Sequence, residues 1–290
     1  MFSYLYPFST VYYSQFGYQR LCERKAWTVR LSYIPKWELG GRARLVDGCY
    51  RPEEDIRRVY SVWADRYNMM TREQQPYDFL WVNEANPFKT CEYTYVYYSA
   101  GGEPKGYMTF NGKDNKPLWT LECSRFHFTD TEGLKGLLTL LKSLNADHFD
   151  ARFFLPADID WQPLIPEASQ NAVSCEVKPM GMARIVNVER ALMLAKARGQ
   201  GELALEISDG QIPENDGRFL VSYADGHVLS VERTDREPDM VMGVGDFSRL
   251  LIGRHDVSAL EYMDGVKLCC APERAAELFY TKPIYITKPF

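Results

Sequence analysis

The sequence predicts an α+β fold built of α/β layers and divided into more than one domain. Three observations carry that expectation. Hydrophobic periodicity switches along the chain between two residues and about 3.6, the repeats of strand and helix. The order helix, strand, strand, strand, helix, strand fills residues 52–155. Near Met180–Val188 the texture then changes into a second mixed pattern of short strands and short helices. At about 100–200 residues per domain, the 290 residues suit two or three domains. The division expected is 1–40, 41–187 and 188–290.

Residues 1–40 read as a short aromatic segment followed by a strand, Trp27–Tyr33, in which apolar and polar residues alternate. Such a strand needs sheet partners, either from later in the chain or from sequence that is absent; without them it exposes an edge. A helix follows over 52–67. Pro52 suits its first turn, Glu53, Glu54 and Asp55 suit its positive end, and Ile56, Val59, Tyr60, Trp63 and Tyr67 recur on one face. Tyr93–Tyr98 and Gly106–Phe110 form a hairpin across a turn containing Gly101-Gly102. Residues 118–128 read as a third strand. Asp130-Thr-Glu132 starts a helix whose apolar face is Leu134, Leu137, Leu138, Leu141 and Leu144, and Phe149–Leu155 returns as a strand. In the last domain a helix is expected at Glu189–Ala197 and a strand at Glu202–Ser208. Asp225-Gly226 marks a type I′ hairpin between Phe219–Tyr223 and His227–Glu232. Short helices are expected at Asp246–Ile252, Val257–Met263 and Pro272–Phe279.

Composition narrows the function classes. Hydrophobic residues make up 46% of the chain and charged residues 25%, so each domain can build a core. The formal net charge is −5 and no long basic cluster occurs, which argues against a nucleic-acid partner. No apolar run approaches the roughly 18 residues that span a membrane, and the start lacks a basic signal-peptide region, so no membrane partner and a cytoplasmic location are expected. Seven scattered cysteines without a C-x-x-C pair argue against a disulfide framework or a zinc site and for reduced, buried thiols. The four histidines show no metal-ligand spacing, and no metal is expected.

Motifs that name a chemistry outright are few. Gly243-Val-Gly245 and Gly199-Gln-Gly201 are the tight glycine pairs, and both read as turn or cap glycines rather than a phosphate loop. Neither G-x-S-x-G nor H-E-x-x-H occurs. Glu53-Glu54 and the pair Asp158 and Asp160 read as solvated carboxylates, and Cys269-Cys270 as buried packing.

Several segments carry a resemblance. Tyr6-Pro-Phe-Ser-Thr-Val-Tyr-Tyr13-Ser-Gln-Phe16-Gly17-Tyr18 resembles the end of a GCN5-related (GNAT) acetyltransferase domain, in the form found in Eis-type (enhanced intracellular survival) N-acetyltransferases. Met182-Ala-Arg-Ile-Val-Asn-Val188 is similar to that family's passage from a second, degenerate GNAT domain into a sterol-carrier-like domain. Asp209-Gly-Gln-Ile-Pro213-Glu-Asn-Asp-Gly217 and Glu232-Arg-Thr-Asp-Arg-Glu-Pro-Asp239 look like the body of that last domain, and the chain stops at an aromatic residue, Phe290, as Eis-type chains do. The resemblance implies that 1–40 is the remnant of a first GNAT domain, 41–187 a degenerate GNAT domain and 188–290 the sterol-carrier-like domain.

It also implies a reaction. An acceptor amine attacks the thioester of acetyl-CoA directly, Tyr13 protonates the departing thiolate, and the terminal carboxylate of Phe290 takes the amine proton. Phenols titrate near pKa 10 as a class and can protonate a nascent thiolate, whose acid is only slightly stronger. A free α-carboxylate near pKa 3.5 is a poor base in water and improves with burial. Lys288, beside Phe290, works against that improvement. The acceptor implied is a small-molecule amine or a lysine side chain, and the assembly implied is a homo-oligomer. The first GNAT domain, with its glycine loop for the CoA pyrophosphate, is expected before Tyr6. The nearest match, Lys196-Ala-Arg-Gly-Gln-Gly201, lies in another domain, so no cofactor-binding residue is assigned. A longer natural chain, a complementing second chain and a non-catalytic remnant, or an apolar-ligand or assembly module, all stay open at this point.

Overall fold

The computed structural model describes residues 1–68, 76–112, 120–167, 169 and 171–286. In chain order its elements begin with β1 (Phe2–Leu5), α1 (Thr10–Ser14), β2 (Gln19–Arg30), β3 (Arg42–Leu45) and α2 (Glu53–Arg66). Then come α3 (Leu80–Asn83), α4 (Pro87–Thr90), β4 (Glu92–Tyr98), β5 (Pro104–Asn111), β6 (Thr120–Phe128), α5 (Thr131–Ser143) and β7 (Asp150–Pro156). The chain continues through β8 (Val173–Ile185), α6 (Val188–Met193), β9 (Gly201–Ser208), β10 (Gly217–Ala224) and β11 (His227–Arg233). It closes with β12 (Met240–Gly243), α7 (Val244–Ile252), β13 (Val266–Leu268) and α8 (Pro272–Ala276). Two compact units result: Glu23–Lys178, and Met1–Cys22 together with Pro179–Phe290. The chain passes from one unit to the other inside β2 and again inside β8.

In the unit Glu23–Lys178 the strands run in the order β2-β7-β6-β5-β4-β3. Neighbours are antiparallel except β6 and β7, which run parallel. Parallel neighbours need a crossover, and α5 supplies it. The carboxylate of Asp130 starts α5 by accepting the Gly133 N–H at 3.0 Å, as a capping residue does. Leu134, Leu137, Leu138 and Leu141 then bury their side chains on one face. Gly136 lets the helix settle on Tyr97, because a Cβ there would lie 2.5 Å from the ring. Helix α2 buries Ile56, Val59, Tyr60 and Trp63 as the spacing predicts. Phe126 stacks on Phe153 with centroids 4.2 Å apart and fixes the middle of this core.

The strand expected at Trp27–Tyr33 finds its partner later in the chain, for β2 lies antiparallel to β7 from Arg24↔Pro156 to Arg30↔Asp150. It also begins earlier, at Gln19, and Leu31–Tyr33 turns into a short 3₁₀ helix. The first two residues of the strand predicted at 118–128 lie outside the described residues; the rest forms β6.

In the other unit β1 pairs antiparallel with the end of β8, from Phe2↔Ile185 to Leu5↔Met182. A separate sheet has the order β11-β10-β9-β12-β13, with β12 parallel to β9. The hairpin β10–β11 turns at Asp225 and Gly226, whose φ values of 52° and 83° are those a type I′ turn demands. Leu203, Leu205, Phe219, Val221, Met240, Met242, Phe247, Leu250, Leu278 and Phe279 belong to one buried apolar core. The helix expected at Glu189–Ala197 is shorter, ending at Met193, and the short helix expected at Val257–Met263 is a 3₁₀ helix, Val257–Tyr262.

The cysteines depart from expectation. All are free, but only Cys22 and Cys123 are buried, and Cys269 is exposed because it follows the edge strand β13. No helix of the described residues is long and apolar enough to cross a membrane, which says nothing of a β-barrel.

Candidate active site

Tyr13 lies on α1, a single turn of helix started by Ser9, whose hydroxyl accepts the Tyr12 N–H at 3.3 Å. The chain then doubles back. The Tyr13 carbonyl accepts the N–H groups of Phe16 at 3.0 Å and Tyr18 at 3.3 Å, and the Ser14 carbonyl accepts that of Gly17 at 3.0 Å. Gly17 closes the turn at φ +77°, in the left-handed region. A Cβ at this position would lie 2.8 Å from Val244 Cγ1, so backbone conformation and packing both require glycine.

The Tyr13 ring is half-buried in an aromatic surround. Phe8, Tyr12 and Tyr18 meet it edge-on at centroid distances of 5.2, 5.2 and 6.1 Å. Tyr18 is tied down through its hydroxyl, 2.6 Å from Ser3 Oγ, and Tyr6 donates to Met180 Sδ at 2.9 Å. The Tyr13 hydroxyl makes no hydrogen bond with any described residue.

Beneath the turn lies a buried ion pair. Both Asp209 oxygens accept from Arg184 Nη2 at 2.6 Å, and Arg184 Nη1 donates to the carbonyl of Phe16. The two side chains are 5% and 1% exposed. Asp209 also accepts the Gln211 N–H at 3.0 Å, the Ile212 N–H at 3.2 Å and Asn215 Nδ2 at 2.9 Å. Burial by itself pushes the Asp209 carboxyl up; Asn215, the Gln211 N–H and Arg184 outweigh it and hold it below the usual carboxylate range. Three segments singled out in the sequence, Tyr6–Tyr18, Met182–Val188 and Asp209–Gly217, thus meet at one place.

Sequence reasoning singled out all three segments but missed the pair that joins them. The available signal was a charge inside an apolar run, Arg184 between Met182-Ala183 and Ile185, all of which are buried. Phe290, the second residue expected in the site, lies outside the described residues. The chain can be followed to Ile284, Tyr285 and Ile286, which are buried.

A cavity of about 290 Å³ opens behind the tyrosine turn, lined by Ser14, Gln15 and Gly17, by Asp209 and Gln211, and by the start of α7. Tyr13 is not part of its lining. The Gly243-Val-Gly245 pair falls here as a cap and packing element, because a Cβ on Gly245 would meet Gln19 Nε2 at 3.0 Å. Carboxylates of Asp209 and Asp246 share the lining and oppose an anion. At Gly199-Gln-Gly201 a Cβ on Gly199 would lie 2.8 Å from the Glu277 carboxylate, equally unsuited to phosphate. The start of α5, after a strand, is already occupied by the Asp130 carboxylate, which also pairs with Lys105 at 3.0 Å. These residues do not fit a CoA pyrophosphate. No group of three or more His, Cys, Asp or Glu among the described residues is placed to hold a metal ion.

Comparison with known proteins agrees with this architecture. Residues 68–185 match the acetyltransferase (GNAT) domain, and residues 188–286 match the sterol carrier protein domain. No curated protein sequence matches the chain. Among solved structures, the whole chain superposes on 73% of a GCN5-related N-acetyltransferase from Anabaena variabilis, with TM-score 0.82 and 18% identity. It superposes likewise on 72% of a conserved protein of unknown function from Enterococcus faecalis, with TM-score 0.81 and 19% identity. Eis1 from Mycobacterium abscessus is similar over 73% of its length, with TM-score 0.73 and 18% identity. At such identities the likeness is one of fold. The chain therefore carries a GNAT acetyltransferase domain over 68–185 followed by a sterol carrier protein domain over 188–286.

Proposed function

We propose that this chain provides the proton-donating side of an N-acetyltransferase that moves an acetyl group from acetyl-CoA to a primary amine of a cationic acceptor. The carrying observation is the Tyr13 hydroxyl, free of partners among the described residues and held on a turn that Gly17 and the Arg184–Asp209 pair fix from below. The two domain matches and the fold shared with GCN5-related N-acetyltransferases support the reading.

In that reaction the amine nitrogen attacks the thioester carbonyl, the C–N bond forms and the C–S bond breaks. Tyr13 gives its proton to the departing sulfur, so that no free thiolate need leave. The proton on the attacking nitrogen passes to a carboxylate, for which the terminal group of Phe290 is our candidate. Tyr13 then regains a proton from water and the carboxylic acid gives its proton back to water, so the cycle closes with no net proton change. A tyrosine held by packing, rather than by a hydrogen bond to its own oxygen, loses no internal bond when it turns to the sulfur. No donor-binding step is assigned to the described residues, since none of them fits the CoA phosphates.

Assembly into a homo-oligomer and a cytoplasmic site of action belong to the same proposal. The test is acetyl transfer by the full-length protein, as the cell makes it, from acetyl-CoA to spermidine, to an aminoglycoside and to a lysine-containing peptide. Release of CoA thiol with at least one acceptor is expected. No release with any of the three overturns the reading.

A further inference from the structure

We propose that Arg184 is a positioning residue: its guanidinium, clamped by Asp209, holds the Phe16 carbonyl and so sets the place and orientation of Tyr13. This rests on the reading of Tyr13 as the proton donor.

The argument starts from cost. Arg184 sits on β8 among Met180, Met182, Ala183 and Ile185, all buried, and its own side chain is 5% exposed. A charge in such a place loses its hydration, and a buried ion pair recovers that loss only with good geometry on every side; an apolar pair of similar size is often at least as stable. Stability alone therefore does not account for the pair. Its geometry does point somewhere. One nitrogen, Nη2, meets both Asp209 oxygens, which leaves Nη1 to reach the carbonyl of Phe16. A planar fork is suited to two fixed partners at once, and an ammonium is not.

Asp209 is rigid in its turn. It accepts Gln211 N–H, Ile212 N–H and Asn215 Nδ2, while Asn215 Oδ1 accepts the Val188 N–H at 2.9 Å. The Asp209 N–H itself is held by Asp216 at 3.0 Å. The chain of contacts thus runs from the β9–β10 connection, through Arg184, to one peptide carbonyl of the tyrosine turn. The peptide that carries the Phe16 carbonyl donates its own N–H, that of Gly17, to the Ser14 carbonyl, and the N–H groups on either side of it, those of Phe16 and Tyr18, go to the Tyr13 carbonyl, so fixing this peptide fixes the backbone of Tyr13. A proton donor displaced by about 1 Å loses much of its rate. That is a sufficient reason for a costly buried charge to stand here.

The experiment is amide hydrogen exchange on the protein and on two variants, Arg184→Met and Arg184→Lys, with thermal unfolding in parallel. Methionine keeps the volume and removes the fork; lysine keeps a charge for Asp209 but has no second arm for Phe16. In both, exchange at Phe16, Gly17 and Tyr18 is expected to rise about tenfold to a hundredfold, the scale of one hydrogen bond to a charged group. Exchange in β9 and β10 stays as it was. Uniformly faster exchange across the unit, no change at Phe16–Tyr18, or loss of the fold in both variants overturns the proposal, because the pair is then structural only. Where transfer is measured, Arg184→Lys lowers kcat with acceptor KM unchanged. If Tyr13→Phe leaves transfer intact while the exchange result stands, the acid role of Tyr13 fails and the positioning of the turn does not.

Discussion

Gly17 and Asp209 show how single residues define the tyrosine turn. Gly17 combines φ +77° with a wall 2.8 Å from where a Cβ would be. Gly17→Ala is expected to destabilise the fold by about 1–3 kcal/mol, the cost of holding a residue other than glycine in this region, and more if Val244 cannot yield. Urea unfolding of the two proteins measures it. Asp209 makes a different expectation. Its folded carboxyl titrates below the unfolded one, because hydrogen bonds from Asn215, Gln211 and Arg184 overcome the opposing effect of burial. A depressed carboxylate contributes stability above the unfolded pKa of about 3.9, and that contribution is lost as pH falls through the folded value. Stability of the wild type should therefore fall from pH 5 toward acid more steeply than that of Asp209→Asn, and urea midpoints across that range test the difference. Neither role is visible in periodicity. Tyr13 and Phe16-Gly17 came into view only through resemblance, and the Arg184–Asp209 link joins residues remote in the sequence, a distance that no local pattern reports.

Elements with strong local signals formed where the sequence placed them. α2 and α5 have the spacing of an amphipathic helix, β4 and β5 the hairpin glycines, and β10–β11 the Asp225-Gly226 turn. The elements missed had weak or contrary signals. β8 contains Pro179 and Gly181, which read as breakers; Gly181 adopts φ +59° and the strand continues. β1, β3, β12 and β13 are too short for a period-two pattern to stand out, and their existence depends on partners far away in the chain. At this scale Asp130 is the residue to change. It caps α5 through the Gly133 N–H, and Asp130→Ala should cost about 0.5–2 kcal/mol, read from chemical denaturation. That substitution also uncovers the start of α5, where the carboxylate now stands in the way of an anion.

For the whole molecule, the fold class was legible because two mixed α+β patterns follow one another in the sequence, each with a core of its own. One of the two units draws on both ends of the chain, since Met1–Cys22 lies with Pro179–Phe290. Local patterning is silent about such returns, which depend on strand pairing such as Phe2↔Ile185. The return brings the turn of Tyr13 onto Arg184 and Asp209 within one unit.

The most direct test of the account compares the full-length protein with its Tyr13→Phe variant in acetyl transfer from acetyl-CoA to the best acceptor found. The variant keeps the ring packing and removes only the phenolic proton. The expected result is a fall in kcat of about a hundredfold to ten-thousandfold with little change in acceptor KM, the scale of a lost general acid. An unchanged kcat in a folded variant contradicts the account.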